Sequence, residues 1–253
     1  MLPHLASRIF GTPLLVHRAK IDVILSVLGS RLGIDSPIPA DATELLAAVP
    51  TPRPNMQGAV GIAVIPIHGT LVKRTLGLEA ASGLTSYQDI GAMIDAALAD
   101  ASVTGILLDI DSPGGEASGS FELARRVREA TVVKPIWAVA NDAAFSAAYA
   151  IASSAERIIV TETGGVGSIG VIALHIDQSV KDANDGYRYT AITAGRHKND
   201  FSPHEPLTDT AKGELQAEVD RLYDIFVGHV TDMRGLPEMA VRATEAALYF
   251  GPN

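Results

Sequence analysis

Two short stretches of the chain contain residue types that together could perform nucleophilic catalysis. One holds Ser146, a serine among small residues at the point where a predicted strand gives way to a helix. The other holds Lys198, in a loop that begins with Gly195. Serine is a weak nucleophile until a base takes its proton. A lysine held in its neutral form can be that base, so a chain can use serine chemistry without a Ser/His/Asp order.

Both residues also have a plainer interpretation. Ser146 could be an ordinary helix N-cap, and Lys198 could be a solvated surface charge. His197 is a rival for the role of base, although neighbouring side chains in an extended loop point in opposite directions. Asp200 and Asp209 could orient a histidine, but their spacing does not favour that arrangement.

Two glycine-rich segments could surround the serine. Gly114 and Gly115 lie between a buried strand and a helix, where glycine lets the backbone turn sharply and approach a ligand. Their N–H groups could face a developing oxyanion, or the segment could be a simple strand-to-helix turn. No GxxxxGK[ST] pattern follows, so a phosphate loop is excluded. Residues 163–171 contain four further glycines and predict either a structural turn or a loop that lines a substrate.

Strands alternate with helices along most of the chain. Such alternation, with strands rich in Val and Ile, predicts an α/β fold with a mostly parallel sheet and helices packed on it. Strands are predicted at residues 62–67, 105–110, 136–140, 157–161 and 171–175. Helices are predicted at residues 86–99, 118–129, 146–155, 178–185 and 209–233, with a last short helix opening at Pro237.

The N-terminal part of the chain differs from the rest. Residues 1–57 are predicted to form a helical extension that ends in the proline-rich linker at residues 50–55. Residues 58–253 are predicted to form the one domain that carries the chemistry. This division gives the larger unit enough chain to bury a substantial core.

Composition excludes several classes of function. The net charge of −9 and the lack of a Lys/Arg cluster argue against nucleic acid as a partner. The sequence of 253 residues has no cysteine, which excludes disulfides, thiolate metal sites and a cysteine nucleophile. No apolar stretch approaches the roughly 20 residues of a spanning helix, and no export signal is recognised. We therefore expect a cytoplasmic protein without a membrane anchor.

The order of these motifs resembles a known family. Residues 111–115 (Asp-Ser-Pro-Gly-Gly), Ser146, residues 167–171 (Gly-Ser-Ile-Gly-Val) and residues 195–198 (Gly-Arg-His-Lys) follow one another as in the SppA (protease IV) signal peptide peptidases. The chain is most similar to the phage branch of that family, the prohead proteases. The resemblance covers roughly residues 58–250.

The resemblance implies a fold and a set of roles. The fold would be the ClpP/crotonase-like one, built of repeated ββα units. Ser146 would be the nucleophile and Lys198 the general base, while the N–H groups of Gly114 and Ala147 would form the oxyanion hole. The residues that we expect to line the substrate are Gly115, Gly167, Ser168 and Ile169. The implied chemistry needs no metal and no cofactor.

The resemblance also implies an activity and partners. It predicts a serine endopeptidase that matures phage heads by cleaving scaffold and capsid proteins, in the host cytoplasm or the procapsid. In cellular members the serine and the lysine meet across protomers or duplicated halves. This chain carries one copy of each motif, so a homo-oligomer is expected.

Three other functions remain open at this stage. One is a cellular peptidase that degrades signal peptides at a membrane, which the missing anchor disfavours. Another is a crotonase-like acyl-CoA enzyme, which would need neither Ser146 nor Lys198. The last is an inactive component of head assembly that forms oligomers without cleaving anything.

The chain departs from the family pattern in three places. Ser146 is followed by Ala147 and Ala148 where the family usually has Ser-Gly-Gly or Ser-Ala-Gly. Lys198 is followed by Asn199 and Asp200, where the family usually has Asp or Val-Asp. Members usually continue beyond a segment like residues 247–251, so we expect the C-terminal end to be truncated.

Overall fold

The computed structural model of the protein describes residues 9–18, 21, 25, 61–74 and 84–251. The strands are β1 (Leu14–Val16), β2 (Ile62–His68), β3 (Thr70–Val72), β4 (Leu84–Ser86), β5 (Gly105–Ser112), β6 (Gly114–Glu116), β7 (Ile136–Phe145), β8 (Arg157–Val160), β9 (Gly165–Gly167) and β10 (Leu248–Phe250). The helices are α1 (Tyr87–Ala99), α2 (Ser120–Ala130), α3 (Ala147–Ser153), α4 (Ser179–Asn184), α5 (Asp209–Arg234) and α6 (Glu238–Arg242).

Among the described residues, the larger of two sheets has the strand order β10-β9-β7-β5-β2, and β8 pairs with the first half of β7. Strands β2, β5, β7, β8 and β9 pair in parallel, and β10 runs antiparallel to β9. The inward side chains of β5 and β7 are mainly Ile, Leu and Ala and are fully buried. This arrangement confirms the α/β class and the predicted parallel sheet.

The register between β5 and β7 shifts close to their carboxyl ends. Pairing passes from Ile110 opposite Ala140 to Ser112 opposite Ala144, so β7 advances four residues while β5 advances two. The two extra residues of β7 form a bulge, which bends a strand locally. The bulge lies directly before Phe145, the last residue of the strand.

The smaller sheet has the order β1-β6-β3-β4. Strand β1 pairs antiparallel with β6, and β3 pairs in parallel with both β4 and β6. Strand β6 follows β5 after Pro113 alone, so the two sheets meet at this corner. The corner is where the Gly114–Gly115 motif lies.

Helices α1 and α3 pack on the larger sheet, α2 packs against α1 and α3, and α5 packs against α2 and α3. Helix α1 begins as predicted, because the Ser86 hydroxyl accepts hydrogen bonds from the N–H groups of Gln88 and Asp89. Phe121 of α2 and Phe226 of α5 pack edge to face with ring centroids 5.7 Å apart. The two rings thereby join the long helix α5 to the main core, which is the apolar cluster formed by the inward side chains of β2, β5 and β7 and the buried side chains of α1, α2 and α3.

Some sequence predictions need correction. The strand predicted at residues 171–175 is wrong, because Ile172 and Leu174 form only isolated bridges, with Leu14 and Phe10. The strand predicted at residues 136–140 continues to Phe145. Helix α2 begins two residues later than predicted, because Gly119 before it has a φ of 94°.

The prediction for residues 1–57 falls mostly outside the described residues, as does the boundary near residue 57. Where this segment is described, Leu15 in β1 is fully buried and belongs to the main core. The division into an extension and a domain stays a prediction. Among the described helices, none is both long enough and apolar enough to cross a bilayer.

A buried histidine connects α5 to the helix that follows Ser146. His229 Nε2 lies 2.9 Å from the carbonyl oxygen of Ala150, which is part of α3. It also lies 3.1 Å from Oγ of Ser154, the C-cap residue of α3. Because a carbonyl oxygen only accepts, Nε2 carries the proton. Burial lowers the pKa of His229, although the hydrogen bond to Ala150 opposes that effect.

We therefore predict that stability falls in mild acid through His229. A histidine whose pKa is lowered in the folded state takes up its proton more readily when unfolded, so protonation favours unfolding. The stabilising effect is complete above the unfolded pKa of about 6.5 and is lost as the pH falls towards the folded pKa. The free energy of unfolding, measured by urea titration between about pH 8 and pH 5, should decline less in His229→Gln than in the wild type. Equal pH slopes in the two proteins would contradict this assignment.

Candidate active site

Ser146 occupies the single-residue junction between β7 and α3. Its backbone has φ 54° and ψ −117°, which L-residues adopt rarely and at a cost of about 1–3 kcal/mol. Two hydrogen bonds hold it there: the Ser146 N–H donates to the Gly167 oxygen at 2.9 Å, and the Ala150 N–H donates to the Ser146 oxygen at 3.0 Å. The junction is therefore fixed from both sides.

The side chain of Ser146 does not act as a helix cap. The hydroxyl makes no capping hydrogen bond, and Oγ is buried without a hydrogen-bond partner among the described residues. The residue as a whole is 1% exposed. The interpretation of Ser146 as an ordinary helix N-cap is therefore wrong. Its hydroxyl is instead buried at a junction with a strained backbone. A buried polar group without a hydrogen-bond partner destabilises the folded state, so its presence here favours a catalytic role for the Ser146 hydroxyl.

Gly114 lies against the start of α3. Its φ is 97°, and a Cβ at this position would lie 3.0 Å from the Ala147 nitrogen and 3.0 Å from the Phe145 oxygen. The same Cβ would overlap the Leu15 carbonyl oxygen. Ala147 begins α3, so its N–H has no acceptor within the helix. The two N–H groups predicted to form an oxyanion hole therefore belong to adjacent pieces of backbone.

The backbone conformation of Ala147 shows why alanine can follow Ser146 in this chain. A residue after the nucleophile would need to be glycine if the turn required a positive φ there. The positive φ instead falls on Ser146 itself, and Ala147 is helical. Alanine thus fits this position without strain.

Ser112 connects the glycine motif to the neighbouring sheet. Its hydroxyl donates to the Gly69 oxygen at 2.7 Å and accepts from the Gly114 N–H at 3.2 Å. A side chain at Gly115 would overlap the backbone of Leu71 in β3. Both glycines are therefore needed for the close approach of β6 to its neighbours, which the simple-turn interpretation had left open.

The second glycine segment also reaches Ser146. Gly167 has φ 115°, and its oxygen accepts the Ser146 N–H. Ser168 has φ 56°, and its N–H donates to the Ala247 oxygen at 3.0 Å. Ile169 is buried in the main core. Of the residues predicted to line the substrate, Gly167 lies beside the Ser146 junction, Gly115 packs against the backbone of Leu71, and Ile169 packs inward.

Lys198 lies in a separate, exposed turn and makes no hydrogen bond to Ser146 Oγ. The neighbouring His197 is held by other groups. Its Nδ1 is 2.8 Å from Asp200 Oδ2, and its Nε2 accepts from Arg196 Nε at 3.1 Å. Asp200 therefore orients His197, as the sequence left open, but the pair does not contact Ser146. Within the described residues, neither predicted base forms a hydrogen bond with the serine hydroxyl.

One group of side chains in this region has the composition of a cation site. Donor atoms of His197, Asp200 and Glu214 lie within 4.8 Å of one another. His197 Nδ1 is 3.2 Å from Glu214 Oε1 as well as bonded to Asp200. Hydrogen bonds between histidine and carboxylate account for the grouping, and two of the three residues are exposed.

Two contributors to the site were missed at the level of sequence. The hydroxyl of Ser112 is one, because serine before proline and glycine is typical of any turn. The other is the segment of β1 and His17: the Leu15 oxygen lies against the Cβ position of Gly114, and the His17 ring lies 5.7 Å from the ring of Phe145. Three apolar residues after Pro13 are too few to show a strand period.

Known proteins share the sequence pattern around this site. The model of peptidase family S49 matches residues 128–252, which include Ser146 and Lys198. Capsid assembly protease C of Escherichia phage lambda is 38% identical over 99% of this chain and 60% of its own length. Head-tail preconnector protein GP5 of Enterobacteria phage P21 is 37% identical over 100% of this chain and 53% of its own length. The chain thus spans somewhat over half the length of these relatives.

Among solved structures, a single-residue mutant of ClpP1 from Listeria monocytogenes aligns with 74% of this chain and 82% of its own. The identity is 12% and the TM-score 0.43.

The strain at Ser146 predicts an unusual order of stabilities. Ser146→Gly should be more stable than Ser146→Ala by about 1–2 kcal/mol, because glycine alone adopts a positive φ without a steric penalty. The measurement is the free energy of unfolding of both variants in urea. Ala150→Gly in the middle of α3 is the matched control, and there glycine should be less stable than alanine by about 1 kcal/mol. The same sign at both positions would show that Ser146 is not strained.

Proposed function

Because the chain belongs to peptidase family S49, we propose that the protein is a serine endopeptidase in which Ser146 is the nucleophile and Lys198 the general base. The observation that carries the proposal is the junction at Ser146. A buried hydroxyl without a partner among the described residues, on a strained and doubly anchored backbone, lies next to Gly114 and to the first N–H of a helix. The ClpP/crotonase-like architecture of the family agrees with the observed strand–helix order.

The proposed reaction is acyl transfer to Ser146. Neutral Lys198 removes the hydroxyl proton as Oγ attacks a peptide carbonyl carbon, and the N–H groups of Gly114 and Ala147 bind the oxyanion. The protonated lysine then donates its proton to the leaving amine. Water activated by the same lysine hydrolyses the acyl-enzyme. Loss of one oxyanion donor typically costs about 3–4 kcal/mol in the transition state.

Binding of the oxyanion requires a change at Gly114. Its N–H donates to Ser112 Oγ at 3.2 Å, which is near the long end for an N–H···O bond. We infer that the oxyanion replaces or shares this bond. The Ser112 hydroxyl keeps its own acceptor, Gly69, and so remains satisfied.

We infer further that the lysine comes from a second copy of the chain. Ser146 Oγ has no partner among the described residues of its own protomer, and Lys198 is exposed. The resemblance to cellular members, in which the two residues meet across protomers, supports this arrangement. The active unit would then be a homo-oligomer.

The biological role that we propose is phage head assembly. Two relatives over nearly the whole chain are named for capsid assembly and for the head-tail preconnector. By this analogy the substrates are scaffold and capsid proteins, cleaved in the host cytoplasm or the procapsid. Degradation of signal peptides remains the second candidate within the same family.

Single substitutions test the two catalytic assignments. Ser146→Ala and Lys198→Ala should each lower cleavage of a co-expressed scaffold protein by about 10³-fold or more, since each removes a member of one catalytic unit. His197→Ala should retain cleavage within a few-fold. Mass spectrometry of the fragments provides the measurement. If the histidine variant is inactive and the lysine variant active, His197 is the base.

A mixing experiment tests the shared site. Ser146→Ala supplies an intact lysine and Lys198→Ala an intact serine, so mixed oligomers should contain some complete sites. Mixing the two inactive proteins under conditions of subunit exchange should therefore restore measurable cleavage. If fully exchanged mixtures stay inactive while wild-type oligomers cleave, both residues must come from one chain. If the wild type forms oligomers but cleaves nothing, an inactive assembly component is favoured.

A further inference from the structure

Strand β1 lies between two other pieces of backbone. On one side it pairs antiparallel with β6, with Leu14 opposite Glu116 and Val16 opposite Gly114. On the other side the Leu14 N–H donates to the Ile172 oxygen at 2.7 Å, and the Ile172 N–H donates to the Leu14 oxygen at 2.9 Å. The N-terminal segment thus fills the gap between β6 and the residues around 172.

The same strand passes directly beside the proposed oxyanion hole. The Leu15 carbonyl oxygen and the Ala147 nitrogen both lie against the Cβ position of Gly114. The His17 N–H donates to the Pro113 oxygen at 2.9 Å, and the His17 ring packs near Phe145. Ser146 is 1% exposed. An extended peptide that brings a carbonyl group to Ser146 would therefore need the position that β1 occupies. We call this position, between β6 and the backbone of Ile172, the track.

Two properties make this track suitable for a peptide strand. Backbone pairing binds extended peptides with little dependence on sequence, and side-chain pockets add preference. Without β1, one edge of β6 and the backbone of Ile172 would present unpaired groups, which attract another strand. Leu15 is fully buried in the main core, so the track also offers an apolar position for one side chain.

We propose that Leu14–Val16 is an internal competitor that occupies the substrate-strand position of this site. The inference rests on the proposed peptidase function. A segment tethered to the same chain has an effective concentration in the millimolar range, so a weakly bound strand can still exclude peptides. Substrates that pair over a longer stretch displace it and gain access to Ser146. The preferred substrate is an extended chain with an apolar residue at the position of Leu15.

A reversible crosslink tests whether β1 must leave. The chain has no cysteine, so Leu14→Cys combined with Ile172→Cys introduces the only two thiols. The two residues form a hydrogen-bonded antiparallel pair, whose Cα atoms lie about 5.5 Å apart, within the range for a disulfide. Oxidation should lower kcat/KM for a peptide substrate at least tenfold, and reduction should reverse the loss. The two single-cysteine variants are the controls, and their activity should not respond to the reductant.

Equal activity of the oxidised and reduced double variant would overturn the proposal. It would mean that β1 is a permanent strand and that substrate reaches Ser146 by another route. Mass spectrometry of the intact protein must show the disulfide in the oxidised sample, so that equal activity is not due to incomplete crosslinking.

Hydrogen exchange gives a second readout that does not depend on catalysis. The full chain carrying Ser146→Ala is incubated with millimolar peptide copying residues 10–17. Competition predicts at least tenfold faster exchange at the amides of Gly11, Leu14 and His17, which are hydrogen-bonded in the structure. Unchanged exchange would contradict the proposal even if the enzyme is active. Faster exchange in a protein that never cleaves would support the strand competitor while refuting the peptidase function.

Discussion

The backbone of Ser146 is the constraint on which the site depends. A non-glycine residue with φ 54° and ψ −117° persists only where its surroundings hold it. Here the holding groups come from both sheet and helix, since Gly167 accepts its N–H and Ala150 donates to its oxygen. The carboxyl end of β7 and the first turn of α3 are joined through this one residue. A site of this kind is as rigid as the elements that flank it.

The surroundings of Ser146 are built by close backbone approaches. Gly114 and Gly115 lack the side chains that would overlap Leu15, Leu71 and the start of α3. Gly167 brings β9 against the junction, and β10 in turn pairs with β9. Helix α3 is held from the other side by α5, through His229 and through Arg234, whose Nη1 donates to the Ala155 oxygen at 3.1 Å. The chemical groups are few, but much of the fold is required to place them.

Local signals in the sequence predicted much of this architecture, and long-range contacts account for what they missed. The Ser86 cap and the parallel strands β2, β5 and β7 follow from nearby residue types and were confirmed. The positive φ of Ser146 was not foreseen, because nothing in its residue type requires it. Strand β1 was missed because three residues gain strand character only by pairing with β6, far along the chain. The apolar residues 171–175 predicted a strand. They pair with the N-terminal segment that contains Phe10 and Leu14, and there only isolated bridges form. The proposed roles of Ser146 and Lys198 rest on family resemblance, since nothing in the local sequence around either residue relates the one to the other.

The bulge near the end of β7 has a consequence for how the chain tolerates change. Between Ala140 and Ala144 the strand contains two more residues than its partner β5. Successive residues of a strand face opposite sides of a sheet, so an even excess preserves the phase of the strand and an odd excess inverts it. Phe145 and Ser146 therefore keep their orientation under insertion or deletion of residues in pairs. Insertion or deletion of a single residue in this stretch would turn the junction away from Gly114.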